Sequence, residues 1–218
     1  MAHQNIAGSG RRPAPGGRWL LGACVHVCGL FPVLRWVVLG LGTGGGLSAN
    51  PQEFLIRSSG VWALAFLWVT LTVTPIRRLG WAGLLRHRRK LGLYAFFYTV
   101  LHVLAWALWD RGWVPASMWA DLWQRDFIGV GAVAVLCLVP LAVTSTQGWM
   151  RRLGRNWSRL HWLIYPAAVL SVLHFDWMRA GKHDLLEPHL YAVILAVLFV
   201  VRLPAWWRRW RGSSGRTV

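Results

Sequence analysis

The stretch RRKLGLYAFFYTVLHVLAWALW (88–109) decides how the rest of this sequence is interpreted. Three basic residues precede about twenty mostly apolar ones, which is the length of helix that crosses the hydrocarbon core of a bilayer. One histidine, His102, lies inside that apolar run. An ionisable side chain within a membrane helix is a candidate functional residue. The stretch therefore predicts a membrane-spanning helix that carries a candidate functional histidine.

The composition of the whole chain agrees with that prediction. Of 218 residues, 56% are hydrophobic and 14% are charged, whereas about a quarter of the residues in a soluble domain are charged. Seventeen tryptophans are present, and tryptophan collects where a membrane meets water. These values exclude a disordered chain, a soluble α/β enzyme and a disulfide scaffold. The three cysteines form no metal-binding or haem-attachment motif, so we interpret them as small buried apolar residues.

Six apolar stretches are long enough to span a bilayer as helices. They are Trp19–Leu41, Gly60–Ile76, Leu91–Trp109, Phe127–Thr146, Leu160–Met178 and Pro188–Trp207. The first resembles a signal peptide but is longer than the apolar region of one, so we expect it to be retained. The predicted fold is an all-α membrane bundle of six transmembrane helices over 19–207, between an N-terminal tail of 1–18 and a C-terminal tail of 208–218.

The distribution of charge orients this bundle. With six helices, both termini and two of the connections lie on one side, and that side carries 18 of the 24 basic residues. All acidic residues fall on the other side: Glu53, Asp110, Asp121, Asp126, Asp176, Asp184 and Glu187. The positive-inside rule then places both termini in the cytoplasm. The net charge of +17 is thus a signal of topology and lipid headgroups, and we expect no nucleic-acid partner.

Two of the histidines in the predicted spans lie at the same depth. His102 is 12 residues beyond Lys90 and His174 is 15 residues beyond Arg159, which are depths of about 18 and 22 Å in helices running outward. Their imidazoles can therefore face each other in the outer half of the bilayer. Two facing imidazoles can hold a haem axially; the alternative is that both rings only pack and hydrogen-bond between helices.

The other histidines divide into two groups. His161 lies about 20 Å nearer the cytoplasm than His174, a suitable distance for a second haem. An ideal helix would place these two on different faces, and Pro166 between them could change the register. His26 is the one other histidine that lies in the inner half of a predicted span. It is either a haem ligand or a residue that only packs. We expect the four others to lie at the surface: His3, His87, His183 and His189.

Several segments together resemble a known family. They are CVHVCGLFP (24–32), TVTPIRR (72–78), RRKLGLYAFFYTVLH (88–102), TSTQ (144–147) and LGRNWSRLHWLIYPAAVLSVLHFDW (153–177). The chain resembles the haem-binding membrane subunits of bacterial protein-methionine-sulfoxide reductase systems (the MsrQ or YedZ family), which belong to the ferric-reductase-like transmembrane superfamily. The resemblance covers about 19–207. It implies haem b, one or two per chain, with His102, His161 and His174 as ligands, and it places a histidine of unassigned role at His26.

The resemblance also implies an activity. Members of this family carry electrons across the bacterial inner membrane to a periplasmic molybdopterin enzyme, which reduces methionine sulfoxide in oxidised envelope proteins. The donor would be a cytoplasmic flavin reductase or the quinone pool. FMN is associated with the family, although the sequence carries no flavin motif. Basic residues that could hold its phosphate are Arg77, Arg78, Arg151, Arg152 and Arg155, which topology alone also explains.

The sequence therefore predicts an electron-transfer subunit that has no substrate-transforming site of its own. One alternative is a ferric-reductase-like oxidoreductase with another acceptor. Another is a transporter, for a metal or another solute, in which the histidines only pack; the spans lack the carboxylates or thiolates usual in metal sites. We expect the outer face to meet the partner, through its acidic residues Asp121 and Asp126 and through Trp109, Trp113, Trp119, Trp123 and Trp177.

Overall fold

A computed structural model describes residues 15–42, 46–81, 83–180 and 185–203, and every regular element in these ranges is helical. The α-helices are α1 (Pro15–Gly40), α2 (Pro51–Arg78), α3 (Arg88–Ala105), α4 (Pro115–Gln124), α5 (Asp126–Val143), α6 (Gln147–Leu153), α7 (Arg155–Leu160), α8 (Ile164–Ala180) and α9 (Leu186–Val200). Two 3₁₀ turns, Gly83–His87 and His161–Leu163, and one π-helical turn, Trp106–Asp110, adjoin them. The predicted all-α fold is confirmed. Most of both predicted tails, with His3 and His183, lies outside the described residues.

Four helical stretches of the described chain are long and apolar enough to cross a membrane. They are Trp19–Gly40, Pro51–Arg78, Gly83–Asp110 and Asp126–Val143, and they coincide with the first four predicted spans. Helix α8 has 17 residues and α9 has 15, so each is shorter than the twenty or so that a span needs. Six spans and cytoplasmic termini therefore remain predictions. The short helix α7, a 3₁₀ turn and α8 follow one another directly from Arg155 to Ala180.

The second helix begins nine residues earlier than the sequence predicted. Asn50 caps it, because its side chain accepts a hydrogen bond from the backbone N–H of Glu53, and Pro51 occupies the first turn. Both residue types favour a helix start at these positions. The second half of the predicted loop of 42–59, from Pro51 onward, is therefore helical. Likewise, the predicted loop of 110–126 contains α4.

Two tightly packed helix pairs, α2 with α3 and α5 with α8, form the centre of the bundle. The core of the bundle contains small residues that are almost completely buried, among them Ala95, Ala167 and Ala168. Small residues allow close approach of helices in membrane proteins, where van der Waals packing replaces the hydrophobic effect. The rings of Phe66 and Tyr98 stack in the same core, with centroids 5.4 Å apart.

Helix α1 lies against α3, and the two approach closely at Gly29. The hydroxyl of Tyr98 donates to the backbone carbonyl of Gly29 at 2.6 Å, and a Cβ at Gly29 would come within 2.5 Å of the Tyr94 ring. Much of the remaining surface of α1 is exposed and apolar, as suits a helix that faces lipid. Cys24 and Cys28 lie on that exposed surface. The expectation that these two cysteines are buried is therefore wrong.

The contact between α1 and α3 generates a stability prediction. Tyr98→Phe removes a buried hydrogen bond and should cost about 1 kcal/mol, which lowers the thermal midpoint by about 2–4 °C for a chain of this size. The measurement is thermal unfolding of the purified protein in detergent. Tyr191→Phe is the control, because it keeps the edge-on contact of that ring with Trp68. Equal midpoints for the two variants would contradict the assignment.

Candidate haem site

A cavity of about 840 Å³ opens between α2, α3, α5 and α8, with α4 at one end. Most of its wall is apolar, from residues such as Leu64, Leu67 and Leu138. His102 and His174 both line it. A mostly apolar cavity with a few polar groups, and a volume between about 300 and 1,000 Å³, is typical of a cofactor site.

The two histidines face each other, as their depths in the sequence predicted. The centroids of the His102 and His174 rings are 6.0 Å apart and their planes are inclined by 83°. His102 comes from α3 and His174 from α8, which belong to the two different central helix pairs. The cavity therefore holds one imidazole from each pair.

Each imidazole is anchored to a neighbouring backbone. His102 Nδ1 lies 2.8 Å from the carbonyl oxygen of Ile56, and His174 Nδ1 lies 2.6 Å from that of Phe127. A carbonyl oxygen only accepts, so each Nδ1 must carry the proton and donate it. In the neutral ring this leaves the lone pair on Nε2, which is the arrangement of a metal-ligating histidine with an oriented ring.

A glycine lies against each of the two rings. A Cβ at Gly60 of α2 would be 3.1 Å from His102, and one at Gly131 of α5 would be 2.6 Å from Nδ1 of His174. The anchoring carbonyl belongs, in both cases, to the residue four positions before the glycine. The two halves of the site are thus built alike. The sequence alone does not single out these glycines, because the four-residue spacing between glycine and carbonyl is recognisable only when the neighbouring helix is in place.

This geometry fits haem. Two metal–imidazole bonds of about 2 Å each, together with the ring radii, give a centroid separation of about 6 Å, as is found here. Within the described ranges, no three His, Cys, Asp or Glu side chains cluster in a way that could hold a bare metal ion. Two imidazoles across an apolar cavity instead suit an iron whose equatorial ligands come from a macrocycle.

Helix α4 covers one end of the cavity. Met118, Trp119 and Leu122 of this helix contribute to the cavity wall. The helix is fixed by Asp121, which is 5% exposed and forms ion pairs with Arg111 and Arg125. The predicted use of Asp121 as an exposed docking charge is therefore wrong, because two guanidinium groups neutralise it. Asp126 and all five tryptophans of the outer face are exposed as expected.

His161 lies apart from this pair. It begins the 3₁₀ turn before α8. Its Nδ1 lies 3.0 Å from the carbonyl oxygen of Trp157, and its ring stacks on the Trp157 indole with the ring centroids 3.9 Å apart. The turn alters the helical register between His161 and His174, just ahead of Pro166. Within the described part of the chain, the ring contact of His161 is this indole, and no second imidazole lies against it.

The remaining histidines have other environments. His26 lies 2.9 Å from the Tyr94 hydroxyl through Nδ1 and 2.9 Å from Lys90 Nζ through Nε2, so both ring nitrogens are engaged by α3. His189 is exposed, as expected, and lies 3.5 Å from Asp176. His87 is buried, at 5% exposure. The expectation that it lies at the surface is wrong, because the 3₁₀ turn packs it against Gly22 of α1.

Two of the arginines considered for FMN have contacts within the chain. Arg78 donates to the backbone carbonyl of Val201 at 2.8 Å. The guanidinium of Arg152 lies over the Trp149 ring, 5.6 Å from its centroid. The first contact joins the end of α2 to the residue after α9 and the second lies within α6, and neither by itself indicates a flavin.

Comparison with known proteins gives the family. The ferric reductase like transmembrane component family matches residues 59–172. A protein from Bordetella pertussis is 53% identical over 191 residues, covering 87% of this chain and 91% of its own. A relative from Ralstonia nicotianae is 51% identical, over 87% of this chain and 86% of its own. A relative from Xanthomonas euvesicatoria pv. vesicatoria is 47% identical, over 88% of this chain and 87% of its own. All three are named protein-methionine-sulfoxide reductase heme-binding subunit MsrQ. The chain therefore belongs to the MsrQ family of haem-binding subunits, within the ferric-reductase-like transmembrane proteins.

Proposed function

We propose that this protein is the haem b membrane subunit of a methionine sulfoxide reductase system and carries electrons across the bacterial inner membrane. The observation that carries the proposal is the pair of His102 and His174, each fixed by a backbone carbonyl so that Nε2 is free to ligate. Their 6.0 Å centroid separation suits one axially ligated iron between them. The names of the family members support haem as the group held there.

The residues of the site have three tasks. His102 and His174 would hold the haem iron through their Nε2 atoms, and the carbonyls of Ile56 and Phe127 fix the orientation of the two rings. The apolar wall excludes water, which lowers the reorganisation that accompanies a change of charge. Helix α4 closes the outer end of the cavity. Bound haem would supply the one-electron couple, while the chain supplies ligation, orientation and a dry surrounding.

The direction of transfer follows from the proposed topology. Six spans with both termini in the cytoplasm place Lys90 and Arg159 at the inner surface, and the His102–His174 pair nearer the periplasm. The fifth span would be the continuous helical stretch from Arg155 to Ala180, and the sixth would begin with α9. Electrons would enter from a cytoplasmic flavin reductase or the quinone pool. They would leave to a periplasmic molybdopterin-containing reductase that repairs oxidised methionine.

The geometry supports one haem b more strongly than two. A second haem at His161 requires another axial ligand, and the Trp157 indole is the ring that lies against His161 in the described chain. His26, the other candidate, has Lys90 and Tyr94 on its two ring nitrogens. FMN is proposed from family resemblance, with the cytoplasmic arginines as its phosphate ligands.

The alternative functions differ in what they require of the same residues. A transporter in which the histidines only pack does not need two imidazoles that line one cavity with Nδ1 bound and Nε2 left free. A ferric-reductase-like protein with another acceptor needs the same haem site but a different outer partner. The similarity to named methionine sulfoxide reductase subunits over most of both chains favours the sulfoxide reductase partner.

The haem assignment can be tested by spectroscopy of the purified protein. A dithionite-reduced minus oxidised spectrum should show a b-type cytochrome, and pyridine haemochrome should give one haem per chain. His102→Ala and His174→Ala should each lose most of that haem, because each leaves the iron with one protein ligand. His189→Ala, which alters an exposed histidine, is the control. A folded wild-type protein without haem, or full haem in both alanine variants, would contradict the proposal.

The glycines predict a graded effect on haem retention. A Cβ in Gly131→Ala would collide with the His174 ring at 2.6 Å, so ring and carbonyl must separate, and haem affinity should fall about 10–100-fold. Gly60→Ala, at 3.1 Å from His102, should have a smaller effect. Gly92→Ala is the matched control, because its Cβ would meet Thr70 at an ordinary 3.7 Å.

The measurement for these variants is the haem-to-protein ratio during titration of the apoprotein with haemin. Equal affinities for Gly131→Ala and Gly92→Ala would show that the close contact with His174 does not hold the ring.

A further inference from the structure

The wall of the cavity is mostly apolar, and one charged side chain belongs to it. Its inner part is lined by Leu64, Leu67 and Ala95, whereas Arg57 lies at its outer part, next to the residue whose carbonyl anchors His102. Among the described residues that line the cavity, Arg57 is the one with a permanently charged side chain. A cation at the edge of an otherwise apolar cavity points to an anionic group on the ligand.

A second hydrogen-bond donor lies in the same outer part. Trp106 lines the cavity one helical turn beyond His102, and its indole Nε1 is buried without a hydrogen-bond partner. Buried donors are nearly always paired, so an unpaired one in a cofactor cavity indicates a missing acceptor. Trp106 also begins the π-helical turn Trp106–Asp110, and such turns occur frequently at functional sites.

The guanidinium of Arg57 is held in place by its own helix. Arg57 Nη1 lies 3.4 Å from a carboxylate oxygen of Glu53, one turn nearer the helix start. Glu53 is in turn contacted by the side chain of Asn50, 3.4 Å from its other oxygen. A guanidinium carries five N–H donors, so this single ion pair leaves donors for a ligand in the cavity.

We infer that Arg57 and Trp106 form the anion-binding end of the cavity and receive the two propionate carboxylates of haem, so that the propionate edge faces the outer mouth beneath α4. This inference rests on the proposed function, since it assigns further contacts to the group held by His102 and His174. The guanidinium forms a charge-assisted hydrogen bond to one carboxylate, and the indole N–H donates to a carboxylate oxygen. The apolar inner end receives the hydrophobic edge of the macrocycle.

The assignment makes Arg57 a determinant of the haem midpoint potential. Oxidation of the iron adds one positive charge to the site, and a nearby guanidinium disfavours that charge. Arg57→Gln should therefore stabilise the ferric state and lower the midpoint potential, whereas Arg57→Lys should stay near the wild-type value. Haem loss should rise about tenfold in Arg57→Gln, as expected when one hydrogen bond to a charged group is removed. Trp106→Phe should raise haem loss by a smaller factor.

The experiment uses the full-length holoprotein in detergent and has three readouts. They are the midpoint potential from a redox titration, the rate of haem transfer to apomyoglobin, and the propionate bending bands in the resonance Raman spectrum. Arg35→Gln is the matched control, because Arg35 lies over the Phe54 ring and not in the cavity wall. Shifted propionate bands in Arg57→Gln and Trp106→Phe, with Arg35→Gln unchanged, would support the inference.

The outcomes separate this inference from the proposed function. If Arg57→Gln and Trp106→Phe match Arg35→Gln in all three readouts while every variant keeps a six-coordinate b-type spectrum, the propionate assignment is wrong and the haem site stands. If the wild-type protein binds no haem, the proposed function fails. If Arg57→Gln does not accumulate as folded protein, Trp106→Phe with unchanged haem transfer and propionate bands overturns the inference, and altered values support it.

Discussion

The site depends on two hydrogen bonds between an imidazole and a backbone carbonyl of the neighbouring helix. In an apolar interior an unpaired imidazole N–H is costly, so Nδ1 of His102 must find Ile56 and Nδ1 of His174 must find Phe127. Each bond fixes the tautomer, the direction of the ring and the distance between two helices. The glycines against the rings follow from the same requirement, because a Cβ at Gly131 would collide with the His174 ring and one at Gly60 would press against the His102 ring.

The two central helix pairs therefore share one construction. In each pair, one helix provides the histidine and the other provides a glycine and a carbonyl four residues apart. The cavity lies where the two pairs face each other, and the small buried residues Ala95, Ala167 and Ala168 allow the close packing around it. Helix α4 closes one end of this cavity with Met118, Trp119 and Leu122.

The sequence alone predicts the parts that depend on length and spacing. The apolar runs, separated by loops rich in basic residues, predict the all-α fold. The rise per residue of a helix predicts that His102 and His174 lie at the same depth. The parts that depend on the register between helices are missed. Nothing in the local sequence marks Ile56 or Phe127 as hydrogen-bond acceptors. Nor does the local sequence show that Asp121 is buried in ion pairs with Arg111 and Arg125. His87 likewise follows basic residues in the chain, yet the 3₁₀ turn carries it into the bundle.

The most direct test of the account is low-temperature EPR of the ferric protein, because it reports both axial ligands and their relative orientation. The ring planes of His102 and His174 are inclined by 83°, so the account predicts a strongly anisotropic low-spin signal, as given by two axial imidazoles with crossed planes. A high-spin ferric signal would show that one histidine is not a ligand. A low-spin signal of the kind given by parallel imidazole planes would show that the anchoring carbonyls do not set the ring orientations, and either result would contradict the account.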